Sequence, residues 1–270
     1  MDARDQPSRT TQEKEAKWFS FAEKLPPAGV AIFGHAQVTI TEKQFADPKV
    51  LGLALLCRTL SNFAGVISVA KLGLVVEARI LTRSCYENLF CVAGLVAKGD
   101  EFVEAMYQDD IKGIRSRGEF VLQTVVSPED KQNDFAQRLR ARLDDMKKRW
   151  PKARYLNPKD AAGQSVVEQG YLQYSQLSGD AAHPTISALK RHLLIVREAG
   201  EPVACLDVQP VQRGTEIADT VNIACNAVIG VLVGVNQLVE AKEAQEAVRL
   251  VFDEHGVLSG AAPEQAAPVA

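Results

Sequence analysis

The chain has 270 residues, 46% hydrophobic and 24% charged, which is enough apolar material for a full core in one large domain or two small ones. A net charge of −3 lies near neutrality and singles out no class of partner. The five cysteines are odd in number and none are spaced as CxxC, which argues against a disulfide framework or a zinc site and suits a reducing compartment.

The N-terminal stretch MDARDQPSRTTQEKEAK is charged and lacks an apolar core, so it reads as neither a secretory signal nor an anchor. A first helix is expected over about 11–25, stopped by Pro26-Pro27, with a loop following that holds Gly29, Gly34 and His35. Asp47-Pro48 then gives a strong helix start, with Asp as N-cap and Pro in the first turn. Apolar periodicity runs from there to Ala97, with Gly73 as a turn or kink and Gly99 as the C-cap. Residues 101–126 are helical, and Ser127-Pro128-Glu129-Asp130 opens a charged helix that stops at Pro151. Asn157-Pro158 starts a short helix, and another covers about 165–177, ending at Ser178-Gly179.

HLLIVREAGEPVACLDV, at 192–208, differs: two β-prone runs flank the turn-like EAGEP, which predicts one small hairpin. A long helix is expected over 214–254, where Ile217, Val221, Ala224, Val228, Leu232, Val235 and Val239 repeat at three and four. The fold class is therefore all-α, a multi-helix bundle with one hairpin near 192–208. Its parts are an N-terminal helix and loop at 1–46, a helical domain at 47–255 and a disordered tail at 256–270. The most apolar run, AVIGVLVGV, spans nine residues between asparagines, well short of the roughly 20 that cross a bilayer. A soluble, cytoplasmic protein with no membrane contact is expected.

Residues 72–97 are the most informative. On a helical wheel Val76, Ile80, Phe90 and Gly94 form one apolar face, and Ala78, Leu81, Cys85, Leu89, Val92 and Val96 form the opposite one. Such a helix is central and buried, yet Arg79, Arg83 and Glu87 line a stripe on it at i, i+4, i+8. Buried charges must be paired or face a cavity. Two readings stand: a ligand or catalytic cleft, or a structural cluster in which Arg83 pairs with Glu87 and Arg79 reaches the surface. The second candidate is 171–192, where Tyr174 and Ser178 share a helix face and His183 follows a Gly-Asp turn, held extended by Pro184. There, too, Asp180 or His183 could do no more than cap local backbone.

Taken together, RSCYEN and, about ninety residues later, YSQLSGDAAH resemble the bacterial family called domain of unknown function 5677. The shared motifs are Arg-Ser-x-x-Glu, here Arg83, Ser84 and Glu87, and a Tyr-x-x-x-Ser-x-x-x-x-His stretch, here Tyr174, Ser178 and His183. The resemblance covers about 50–240. It implies an α-helical fold with a closing hairpin and long helix, no established activity, and a pocket where an Arg, a Glu and a His meet.

Weaker signals surround these. Arg249 and His255 resemble the Arg-x4–6-His signature of HEPN ribonucleases, found in toxin and phage-defence systems, although His255 also stands at a helix end where the dipole favours it. No phosphate loop, HExxH, GxSxG or ExxH pair is present, and the adjacent Asp109 and Asp110 diverge around a helix, so no cofactor and no metal are expected. Between Arg138 and Arg154 eight Lys/Arg face Asp144 and Asp145, with Trp150 among them, so this run either contacts nucleic acid or is a solvated face.

The leading expectation is a cleft binding a phosphorylated small molecule or a nucleic-acid backbone, with Arg79, Arg83, Tyr174 and Ser178 as binding residues and Glu87 and His183 as catalytic ones. Turnover there would be metal-independent RNA cleavage with His183 as general acid/base. The rival is a non-enzymatic interaction protein, or a homo-oligomer, in which the same cluster fixes helix packing.

Overall fold

The computed structural model describes residues 8–39, 41–127, 133–162, 167–198, 201–210, 212 and 214–260. The helices are α1 (Arg9–Ala22), α2 (Leu25–His35), α3 (Pro48–Lys71), α4 (Val75–Lys98), α5 (Asp100–Phe120), α6 (Asp134–Arg149), α7 (Pro158–Ala162), α8 (Gly170–Leu177), α9 (Ile186–Leu189), α10 (Glu216–Val239) and α11 (Gln245–Ser259). Between α9 and α10 the strands β1 (Leu193–Glu198) and β2 (Glu201–Leu206) pair antiparallel, from Leu193 opposite Leu206 to Glu198 opposite Glu201. The described residues form an all-α bundle with one two-stranded hairpin, as the periodicity of the sequence implies.

Helices α3, α4 and α10 form the centre, each packed on the other two. Asp47 caps α3 by accepting from the Lys49 amide. Gly73, at φ 78°, lets the chain reverse between α3 and α4 in a left-handed conformation other residues resist. Every residue of the stripe Ile217, Val221, Ala224, Val228, Leu232, Val235 and Val239 is buried. Gly230 lets α10 approach α4 closely, since a Cβ there would lie 2.7 Å from a methyl of Leu89. Helix α1 covers α10, α2 and α11 pack on each other and on α10, and α7 and α8 lie against α4.

Several local expectations are corrected. Pro26 and Pro27 open α2 rather than ending a helix: in a first turn their missing N–H groups are no loss, and Leu25, Ala28, Gly29 and Ile32 are buried on the far side. The expected loop at Gly29, Gly34 and His35 is thus helical up to His35. The charged helix α6 starts at Asp134, capped by Asn133, whose side chain accepts from the Ala136 amide; the Pro128-Glu129-Asp130 signal lies outside the described residues. The single helix expected over 214–254 is broken at Glu240, which takes a left-handed conformation at φ 55° before Ala241 and α11. Helix α11 also continues through Gly256 to Ser259, so the tail expected from 256 can begin no earlier than Gly260, and 261–270 lie outside the described residues.

Two helices, α3 and α10, each have 24 residues and an apolar window of mean hydropathy 1.7, long and apolar enough by length and composition to cross a membrane. Helix α10 has 61% of that window buried inside the bundle, as a core helix should, against 28% for α3. The five cysteines are free; Cys85 and Cys225 are buried, Cys57 is exposed, and burial pushes the Cys85 thiol up to about 12.

Candidate functional site

Helix α4 packs on α3 and α10 through Leu81, Leu89 and Val92, whereas on the face expected to be its second apolar one Phe90 meets Tyr174 of α8, Gly94 lies against Phe102 of α5 and Ile80 is exposed, so the Arg79–Arg83–Glu87 stripe faces α8 and the segment after it. Helix α8 does not end at Ser178. It widens into a π-type turn over Ser178–Ala182, which carries Ser178 and Asp180 toward α4, and then leaves at His183 in extended conformation. Thr185 closes this turn by donating its hydroxyl to the Gly179 carbonyl at 2.7 Å.

The polar contacts fall into two halves. In the first, Arg79 and Arg191 share Asp180 and Glu216. Arg191 lies on the short helical turn before β1 and is 8% exposed. It meets Asp180 through Nε and Nη2 at 2.8 and 2.9 Å, and Glu216 through Nη1 and Nη2 at 2.9 and 2.7 Å. Arg79 meets Asp180 through Nη1 and Glu216 through Nη2, and its Nε donates to Thr220 Oγ1 at 3.2 Å. Two guanidinium ions thus balance two carboxylates, and all six guanidinium nitrogens are engaged. Burial pushes the Asp180 carboxyl up, but hydrogen bonds and charge from Arg191 and Arg79 outweigh it and hold it below the usual carboxylate range. The Glu216 contact raises Arg191 further against its burial.

The second half is more open. Arg83 donates through Nε to Ser178 Oγ at 2.9 Å and through Nη2 to Tyr174 OH at 2.7 Å, and its Nη2 lies 3.0 Å from Glu87 Oε1. The guanidinium also lies over the Tyr174 ring, 4.9 Å from its centroid. Tyr174 OH donates to Glu87 at 3.3 Å, and Ser178 Oγ donates to the Tyr174 carbonyl at 2.9 Å. Burial and Glu87 raise the Tyr174 hydroxyl above its usual range although Arg83 pulls it down, so it remains a donor. The side chains of Arg83 and Glu87 are 24% and 34% exposed, and among the described residues Arg83 Nη1 has no partner.

The structure therefore brings together five of the six sequence-derived site residues: Arg79, Arg83, Glu87, Tyr174 and Ser178. His183 is exposed at the end of the wide turn, and among the described residues its imidazole makes no hydrogen bond or ion pair. Three members went unassigned by sequence. Asp180 reads as a turn residue, Arg191 as the leader of a strand, and Glu216 as a first-turn acid complementing a helix dipole. A charge count offered the one available signal: two arginines on a buried stripe require more than the single carboxylate of Glu87.

The other candidates resolve separately. Arg249 pairs with Glu246 and Asp253 on the surface. His255 binds Asn222 Oδ1 at 3.0 Å through Nε2 and packs against Trp18 and Phe21, so the two side chains serve different partners. Asp109 accepts from the Leu156 amide at 2.8 Å. On α6 Leu143 and Met146 point inward, while Arg138, Lys147 and Arg149 pair with Asp134, Glu119 and Asp145.

No curated protein and no solved structure matches the chain. The model of the "Family of unknown function (DUF5677)" matches residues 49–201, a span from the start of α3 to the first residue of β2 that includes every polar-cluster residue except Glu216 and Thr220. That span is more than half of the chain, and the protein belongs to this family.

Proposed function

We propose that the protein binds a phosphate-bearing ligand, a small molecule or a nucleic-acid backbone, at the Arg83 end of the polar cluster. The observation that carries this reading is the contrast between arginines: Arg79 and Arg191 have every nitrogen engaged, whereas Arg83 keeps Nη1 unpartnered among the described residues on a partly exposed side chain. A phosphate oxygen placed there would take charge-assisted bonds from Nη1 and Nη2, with the Tyr174 and Ser178 hydroxyls beside it. Glu87 both orients Arg83 and competes for it. A stronger form of the proposal adds RNA cleavage, with His183 as general acid/base and Glu87 as its orienting partner. Binding stands ahead of turnover because, among the described residues, the His183 imidazole has no such partner.

The closed half supports the rival structural reading for its own residues. Arg79, Asp180, Arg191 and Glu216 tie α4, the wide turn, the hairpin leader and α10 together with balanced charge, and they act as a fastening.

Titration with inorganic phosphate, followed by the shift in melting temperature, tests the reading. Saturating ligand at about a hundred times Kd should stabilise the wild type by roughly 2.7 kcal/mol. Arg83→Gln should lose that shift while melting within a few degrees of wild type. Equal shifts in both proteins, or none in the wild type, would remove Arg83 as a binding residue.

A further inference from the structure

The opposite side of α8 borders a second feature. Between the α6–α7 connection and α8 lies a cleft of about 940 Å³, reached also by Lys98 at the end of α4. We propose that this cleft takes a nucleotide unit, with Lys98, Arg154 and Lys159 holding its phosphate and Tyr155 or Tyr171 stacking on its base.

Four observations point there. Lys98, Arg154 and Lys159 line the cleft, and among the described residues none has an ion-pair partner, unlike Lys147 and Arg149 on nearby α6. Two tyrosines share the wall; Tyr155 is 58% exposed, and Lys112 Nζ lies 5.8 Å from its ring centroid, adding a cation beside a stacking surface. Gln173 also lines the cleft, and among the described residues its buried side-chain oxygen has no hydrogen-bond partner. Finally, Asp160 and Glu168 stand in the same wall, which reduces its charge from +3 to +1. A densely charged polyanion is disfavoured by those carboxylates, whereas a ligand with one phosphate per unit and donors on its sugar and base suits them. The volume agrees, being within the roughly 300–1,000 Å³ of ligand sites and far larger than a free phosphate requires.

The same chemistry is presented by a free nucleotide and by one link of a single strand. The cleft is also independent of Arg83: Tyr171 faces it, while Tyr174, 5.7 Å away between ring centroids, stacks on Arg83.

The test uses the full chain, a fluorescein-labelled single-stranded RNA of about ten nucleotides and adenosine monophosphate, at roughly 50 mM salt. Binding is read by anisotropy for the RNA and by calorimetry for the nucleotide. Tyr155→Ala should weaken whichever probe binds by about tenfold, the scale of losing one stacked base. The double change Arg154→Glu and Lys159→Glu should weaken it at least as much, and for RNA should make the salt slope shallower by about 1.4, as two lost phosphate contacts require. Circular dichroism should be unchanged for both variants, whose altered residues are exposed. Binding of the nucleotide, with displacement of RNA by it, identifies a free-nucleotide site; binding of RNA alone identifies a strand site. Each cleft variant should lose the same factor in an Arg83→Gln background as in the wild type, which separates the cleft from the Arg83 site. The proposal is overturned if neither probe binds, if both cleft variants bind as wild type does, or if binding falls only with Arg83→Gln or only with Lys148→Glu on α6.

Discussion

Arg191 and Glu216, 25 positions apart in sequence, meet edge to edge, guanidinium to carboxylate, through contacts of 2.9 and 2.7 Å. Because both also engage members of the α4 cluster, this pair anchors the base of the hairpin to the start of α10. The hairpin needs such an anchor: two strands alone are marginal in water, and Ile195, Leu206 and Val208 are exposed.

Removing Arg191 should therefore be costly. Arg191→Ala takes from both Asp180 and Glu216 a guanidinium partner that was 8% exposed. A destabilisation of about 3–5 kcal/mol is expected in urea unfolding, because breaking a buried pair leaves charge uncompensated. A loss below about 1 kcal/mol would place the cluster in effectively solvated surroundings.

The same cluster sets the response to acid. Asp180 is held below the ordinary carboxylate range in the folded state, so the unfolded chain takes up its proton first as pH falls. Its contribution is complete above the unfolded value near 3.9 and is lost as pH drops through the folded value. Asp180→Asn should flatten stability between about pH 4 and the acid transition; a variant retaining the wild-type slope would assign that slope to other carboxylates.

His255 acts at higher pH. Burial against Trp18 and Phe21 lowers its folded value by more than the hydrogen bond with Asn222 raises it, so the fold prefers the neutral ring and the unfolded chain binds the proton first. Stability should fall as pH drops below about 6.5 and level off once the folded value is passed. Comparing wild type with His255→Gln between about pH 7.5 and 5 isolates the effect, and parallel curves would refute it.

What could be read from sequence follows from how local the cause was. The α4 stripe and the α10 stripe were legible because helical spacing alone puts their residues on one face. The hairpin was legible from two β-prone runs and a turn. The break at Glu240 was not, since neither Gly nor Pro marks it and only the packing of α11 on α2 and α10 calls for it. The Pro26-Pro27 pair fits the end of one helix as well as the start of the next, and burial of Leu25 and Ile32 decides between them. The closed half of the cluster was least legible. Asp180, Arg191 and Glu216 come from three segments, each with a sufficient local explanation, and their convergence is a property of the tertiary fold.

Glu87 separates the binding reading from the catalytic one. Its carboxylate holds Arg83 Nη2 at 3.0 Å and accepts from Tyr174 at 3.3 Å, yet it is 34% exposed, so the pair is partly screened. Glu87→Gln keeps the shape and an acceptor for Tyr174 while removing the charge, and it should cost no more than about 1 kcal/mol of stability. If Arg83 holds a phosphate, loss of the competing carboxylate frees Nη2 and removes a repulsion of similar size, so phosphate affinity should rise about fivefold. If Glu87 instead orients His183 for RNA cleavage, the same variant should bind RNA at least as tightly and lose turnover by roughly a hundredfold, the lower range for a general acid–base contribution. Affinity that falls in Glu87→Gln, with the melting temperature unchanged, would contradict both roles and make Glu87 a direct ligand contact.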